Sequence, residues 1–170
     1  MRLEGTRCIV RQWRMQDADA LVRHADNINV ARQLRDRFPH PYTRANASMF
    51  LKAATSAAEP SNLAIEVEGE AAGAIGYVPG IDVERFSAEI GYWLGEKFWG
   101  RGIATDALIA MTDHAFANYD ICRIYAYVFG WNGASARVLE KAGYTLEGRL
   151  RKSVTKDGQT IDNLIYAIIR

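Results

Sequence analysis

The stretch FWGRGIATDALIA, residues 98–110, sets Gly100 and Gly102 on either side of Arg101 and runs straight into apolar residues at helical spacing. A glycine-rich turn that opens a helix leaves backbone N–H groups free at the partly positive helix end, which is a seat for phosphate. Asn132 and Ser135 sit three apart where a second, shorter helical stretch begins. Glu89 is a carboxylate within the largely apolar run ERFSAEIGYWLG, where burying a charge needs a reason. Together these residue types could bind a phosphate, hydrogen-bond a leaving group and remove a proton. Each also has a plainer explanation. The glycines can merely shape a tight turn, Asn132 can be a helix cap, and Glu89 can pair with an arginine or lysine across a sheet.

The elements that must position these residues follow from periodicity and breakers. A β-like run spans Arg7 to Trp13, and a helical stretch follows from Met15 to Asp26 with Asp17 as N-cap. A second helical stretch, Ile28 to Phe38, ends at FPHPY, which cannot be helix interior. Ala45 to Ala58 is alanine-rich and stops at Pro60. Strands Leu63–Val67 and Ala72–Val78 flank a turn at Glu68-Gly69-Glu70, and Ala88–Leu94 is the next strand. The helix after the glycine turn carries Ala104, Ala107, Leu108, Met111 and Ala115 on one stripe. Strand Cys122–Phe129, helix Ala134–Ala142 with Gly143 at its end, and strands Thr145–Thr155 and Thr160–Arg170 complete the chain. Asp157-Gly158 between the last two is a hairpin signal. The order β-α-α-α-β-β-β-α-β-α-β-β predicts an α/β (α+β) fold: one domain over residues 1–170, with a mostly antiparallel central sheet, flanking helices and a βαβ unit around the glycine turn.

Composition narrows the partners. A formal net charge of +1 gives no reason to expect nucleic acid or a membrane surface. Cys8 and Cys122 match no metal spacing and read as two buried thiols in a reducing compartment. His24, His40 and His114 are scattered, so no metal is expected. The first residues, MRLEGTRCIVRQWR, hold no apolar signal core and no run reaches membrane-spanning length, which makes the cytoplasm the expected location. A Rossmann dinucleotide site would need a third glycine where Thr105 stands and a carboxylate near Cys122. A Walker loop would need a GK[ST] ending that is absent.

The turn WGRGIAT, the segment VFGWNGASARVLEKAGYTLEG at residues 128–148, and the strand between them resemble the GNAT superfamily of N-acetyltransferases. Within it, the likeness is to the RimJ/RimL-like branch of ribosomal-protein N-terminal acetyltransferases. The strong motifs cover roughly residues 86–148, and a weaker likeness runs through the rest, including RFPHPY and the final Asp-Gly hairpin. Trp99 stands where the superfamily signature has Gln or Arg, while Gly102 and Ala104 fit it.

The resemblance implies acetyl-CoA as cosubstrate and direct transfer of its acetyl group to a primary amine. It places the pyrophosphate on Trp99, Gly100, Arg101, Gly102, Ile103, Ala104 and Thr105, and the acetyl carbonyl near the amides of Trp93 and Leu94. It assigns Asn132 to the pantetheine arm and Ser135 to the sulfur, because Leu139 occupies the position where many relatives carry a proton-donating tyrosine. The glutamate of RimL-like proteins falls on Val154, so Glu89 becomes the candidate base; partial burial would raise its pKa and suit that task. Phe38, Tyr42 and Tyr127 are candidates for the acceptor cleft, though each alone reads better as a core aromatic. An N-terminal α-amine, with a pKa of about 7.7–8.0 against about 10.4 for lysine, is the acceptor a weak base serves best. The alternatives are a small amine (amino acid, polyamine or antibiotic) and a non-catalytic acyl-CoA-binding module. A monomer or a homodimer is a family-level expectation.

Overall fold

The computed structural model describes residues 1–58 and 61–170. Among the described residues, eight strands form one sheet: β1 (Arg2–Glu4), β2 (Ile9–Arg11), β3 (Asn62–Val67), β4 (Glu70–Pro79), β5 (Ser87–Leu94), β6 (Arg123–Phe129), β7 (Thr145–Lys156) and β8 (Gln159–Ile169). Their order is β1-β2-β3-β4-β5-β6-β8-β7. Every neighbouring pair is antiparallel except β5 with β6, which is parallel. Helices α1 (Ala18–Ala25), α2 (Ile28–Ala31) and α3 (Arg44–Ser56) precede β3; α4 (Ile103–Asn118) crosses from β5 to β6, and α5 (Gly133–Lys141) follows β6. This is the mixed, mostly antiparallel fold with a βαβ unit that the sequence predicts.

Alternation along the strands builds two cores. Ala88, Ile90 and Leu94 of β5 and Ile124, Ala126 and Val128 of β6 pack with Ala107, Leu108 and Met111 of α4. On the other side Ala64 and Ala74 pack with Leu21 of α1 and Leu51 of α3. The sheet is therefore a wall between two helical layers, and whatever passes through it must pass between strands.

Several details differ from the sequence reading. The first β-run is shorter, and Arg2–Glu4 adds a strand to it. The turn between them is fastened by Asp106 of α4, whose carboxylate accepts from the amides of Thr6 at 3.2 Å and Arg7 at 2.8 Å. Asp17 makes no cap hydrogen bond to α1; its carboxylate instead grips Arg11 at 2.8 and 2.9 Å and the Arg14 amide at 2.8 Å. The helix expected to reach Phe38 stops at Ala31, and the chain continues in turns across the sheet. The helix expected to run to Ala58 ends at Ser56, and Pro60, its expected stop, lies outside the described residues. Cys122 is exposed, so only Cys8 is a buried thiol; burial and the neighbouring Asp106 charge push it up to about 12. Both predicted hairpins form on two residues of positive φ, Glu68-Gly69 and Asp157-Gly158, the backbone that matches strand twist. Among the described residues no helix is long and apolar enough to cross a membrane.

His24 of α1 is buried under Gly95, with its ring centroid 5.2 Å from that of Phe98 and Nε2 3.3 Å from a Glu70 carboxylate oxygen. Burial pulls its pKa below the usual histidine value; Glu70 pulls the other way, and Arg23 and Lys97 add to the lowering. A lowered folded pKa means that the unfolded chain takes up the proton first, so stability is lost as pH falls from about 6.5 through the folded value. Urea unfolding at about pH 7 and about pH 5 is expected to show this loss, and His24→Gln is expected to reduce it.

Candidate active site

Strands β5 and β6 pair only at Ser87–Arg123, Ala88–Ile124 and Glu89–Tyr125, and then diverge. Gly80 N–H donates to Ser87 at 2.7 Å and Gly95 N–H to Ala72 at 2.8 Å, which fixes the antiparallel phase between β4 and β5. In that phase the odd residues of β5 bond to β4, whereas the main-chain groups of Tyr92 and Leu94 point into the gap. Trp93 therefore turns its amide to β4, contrary to the expected pairing of its amide with an acetyl carbonyl, and Leu94 keeps its own on the open edge. The Leu94 carbonyl accepts from Trp99 Nε1 at 2.7 Å, which ties the glycine turn to the end of β5.

The divergence opens a cleft of about 1620 Å³ that reaches both faces of the sheet. On the α4/α5 face it is lined by Trp99, Gly100, Gly102, Ile103, Ala104 and Thr105. Gly100 and Gly102 both have φ +74°, and a Cβ on Gly100 would meet nothing within 4 Å. Gly102 caps α4 without a side-chain hydrogen bond, so the first amides of that helix have no side-chain acceptor. This is a cradle of donors fit for a pyrophosphate. Arg101 does not line it: its guanidinium pairs with Glu68 at 2.6 Å in the β3–β4 turn. Arg35, Arg37 and Lys156 line the cleft from other elements, and Arg137 and Lys141 line it from α5, one helical turn apart. Their spacing was visible in the sequence, but their direction depends on how α5 packs.

Asn132 caps α5, its Oδ1 accepting from the Ser135 amide at 3.1 Å. Ser135 lines the cleft, and its Oγ lies 2.9 Å from the Tyr92 hydroxyl, a residue the sequence reading passed over. Tyr92 looked like one more apolar strand residue; its partner is 43 positions away. Leu139 is fully buried and adds no polar group.

On the opposite face, Glu89 lines the cleft and forms an ion pair with Arg35, contributed by the turns after α2. The plainer alternative, a paired carboxylate, is thus the observed state; the partner comes from the segment expected to be helix. The Glu89 side chain is 29% exposed and that of Arg35 52%, so the pair is wet. Phe38 packs between Tyr42 and Trp93, with centroids 5.2 and 5.6 Å apart. Tyr42 is buried, and burial pushes its hydroxyl up to about 12. Tyr127, 40% exposed, stands edge-on to Tyr125 at 5.7 Å. All four aromatic residues Phe38, Tyr42, Trp93 and Tyr127 line the cleft. Val154 lines it too, with no carboxylate to offer. Asn163 and Gln33, whose side-chain carbonyl oxygens are buried without a hydrogen-bond partner among the described residues, complete this wall. Among the described residues no cluster of His, Cys, Asp or Glu could hold a metal ion.

A slot through the sheet, with a turn of free amides on one face and an aromatic wall on the other, suits an acyl-CoA-dependent transferase. The chain belongs to the GNAT acetyltransferases: the acetyltransferase (GNAT) domain family matches residues 7–145. It is 31% identical over 172 residues to the uncharacterized N-acetyltransferase YoaA of Bacillus subtilis (strain 168), covering 99% of this chain and 96% of that protein. Mycobacterium smegmatis RimJ, solved with CoA-disulfide, superposes with TM-score 0.86 and 28% identity, covering 99% of this chain and 87% of that one. RimL, a ribosomal alpha-N-protein acetyltransferase solved with coenzyme A, shares the fold at TM-score 0.86 and 24% identity over 99% of this chain and 98% of that one. The protein is a GNAT N-acetyltransferase that resembles RimJ and RimL in fold, and acetyl-CoA is its acyl donor.

Proposed function

We propose that the enzyme acetylates the N-terminal α-amine of a peptide or protein, with Glu89 receiving the amine's proton and Ser135 hydrogen-bonding the thioester sulfur. The observation that carries this reading is the position of the two groups. Glu89 marks the last β5–β6 pair on one face of the slot, and Ser135 lines the other face. The acceptor enters past Phe38, Trp93 and Tyr127, and the acetyl-CoA arm lies between β5 and β6 along the open edge of Tyr92 and Leu94. Asn132 caps the start of α5 and lines the cleft beside the arm. The turn from Gly100 to Thr105 seats the pyrophosphate. The neutral amine adds to the thioester carbonyl, forming the C–N bond and a tetrahedral intermediate; its proton passes to Glu89, directly or through one water, and the intermediate collapses as the C–S bond breaks with the electron pair leaving on sulfur. Among the described residues no cysteine lines the cleft, which supports direct transfer.

An exposed ion pair is worth only about 0–1 kcal/mol, so an incoming ammonium displaces Arg35 from Glu89 at little cost. The α-amine is favoured because part of it is already neutral near pH 7, which lowers the demand on a carboxylate base.

Thiol release from acetyl-CoA is the test, with a peptide bearing a free N-terminus, the same peptide N-blocked, free amino acids and a polyamine as acceptors. Release with the free peptide alone supports the reading. Release only with small amines overturns the peptide acceptor. No release with any amine, beside a clear thermal stabilisation by acetyl-CoA, means a binding module. Glu89→Gln is expected to lower kcat about 100-fold, the lower end for loss of a proton acceptor, with acetyl-CoA affinity unchanged.

A further inference from the structure

The chain has no proton-donating tyrosine at Leu139, yet a tyrosine hydroxyl reaches Ser135 from another element, β5. The geometry points to Tyr92 as a positioning residue that aims the Ser135 hydroxyl at the thioester sulfur. This rests on the role given to Ser135 above. Tyr92 extends from β5 toward the α4/α5 face, lines the cleft, and lies with its hydroxyl 2.9 Å from Ser135 Oγ and 3.3 Å from the Ser135 carbonyl oxygen.

One phenolic proton cannot serve both oxygens. Ser135 is the third residue of α5, and its carbonyl has the helix's own amide four residues on as a donor. The shorter contact, close to the usual O–H···O distance, goes to Oγ. A serine oxygen that accepts from Tyr92 keeps its own hydrogen for a third group. The Ser135 backbone is held by Asn132, so that hydrogen is directed by a fixed frame. Burial raises the Tyr92 pKa, and the hydrogen bond to Ser135 offsets this only in part, so the phenol keeps its proton. Tyr92 is therefore a donor that stays a donor. As charge develops on sulfur, the chain from Tyr92 through Ser135 to sulfur polarises along its length, each hydrogen bond strengthening the next. No proton leaves Tyr92 in the step.

The test is a double-mutant cycle of Tyr92→Phe and Ser135→Ala in the full chain, read as kcat and the KM for acetyl-CoA. A second readout needs no turnover: ultraviolet titration of the thiol of bound CoA. Tyr92→Phe is expected to lower kcat about 10-fold, the worth of one hydrogen bond serving a developing charge, with KM unchanged. It is also expected to raise the pH at which bound CoA forms thiolate. In the Ser135→Ala background, Tyr92→Phe is expected to change neither quantity further, because Tyr92 acts through Ser135. Ser135→Thr keeps the hydroxyl and should keep the dependence on Tyr92. An unchanged kcat and an unchanged thiol titration in Tyr92→Phe would overturn the proposal. So would effects that multiply in the double variant. If the wild type releases no thiol with any amine, the functional reading falls, and the thiol titration alone then decides the role of Tyr92.

Discussion

Gly102→Val is expected to abolish acetyl-CoA binding at ligand concentrations that saturate the wild type. Gly102 caps α4 at φ +74°, where an L side chain costs about 1–2 kcal/mol and a β-branched one fits worst. Its Cβ would also lie 3.3 Å from Arg7 Nε. The chain can relieve this strain only by unwinding the first turn of α4, which scatters the amides from Ile103 onward. Losing two amide hydrogen bonds to a charged pyrophosphate, each worth about 1.5–3 kcal/mol, weakens binding about 100-fold or more. Gly158→Val in the β7–β8 turn is the control, with φ +72° and an open Cβ direction. It carries the same backbone penalty away from the cradle. Calorimetric titration with acetyl-CoA should therefore separate the two: both variants lose stability, and only Gly102→Val loses affinity. Equal affinity in both would mean that the turn does not seat the pyrophosphate.

Asp17→Ala is expected to destabilise the fold by about 3 kcal/mol, the low end for removing one partner of a buried ion pair. The Arg11 side chain is only 4% exposed, that of Asp17 7% and that of Glu66 14%. Arg11 spans the three elements β2, β3 and the turn before α1, bonding Asp17, Glu66 and the Gln12 carbonyl. Without Asp17, Arg11 Nη2 and the Arg14 amide lose their acceptor, and Nη1 keeps only the Gln12 carbonyl, in a place that water reaches poorly. The urea midpoint should fall by about 1 M or more at unchanged slope. Asp19→Ala removes an exposed pair with Arg44, both side chains more than half exposed, and is expected to leave the midpoint in place. A small shift for Asp17→Ala would mean that water replaces its carboxylate, and that the Arg11 cluster does not anchor α1.

The sequence by itself determined what is local. The Asp157-Gly158 hairpin, the glycine turn ahead of α4, the alternation of β5 and the cap at Asn132 are each written in residues a few positions apart, because turn sterics and strand pleat act at that range. The family was legible for the same reason: its motifs are short runs that shape backbone around a phosphate. Tertiary structure alone decided which way these pieces face. Arg101 sits inside the glycine motif, yet it turns to Glu68, while Arg137 and Lys141 of α5 are among the basic side chains that line the cleft. Asp17 has the residue type of a cap, but a buried guanidinium is a stronger claimant for a carboxylate than a helix amide. Glu89 meets its arginine only because the chain after α2 abandons the helix and crosses the sheet. Tyr92 meets Ser135 only because β5 and β6 part company after three pairs and α5 folds back against the gap. Contacts between residues far apart in the chain depend on how layers pack. No spacing in the sequence encodes that directly.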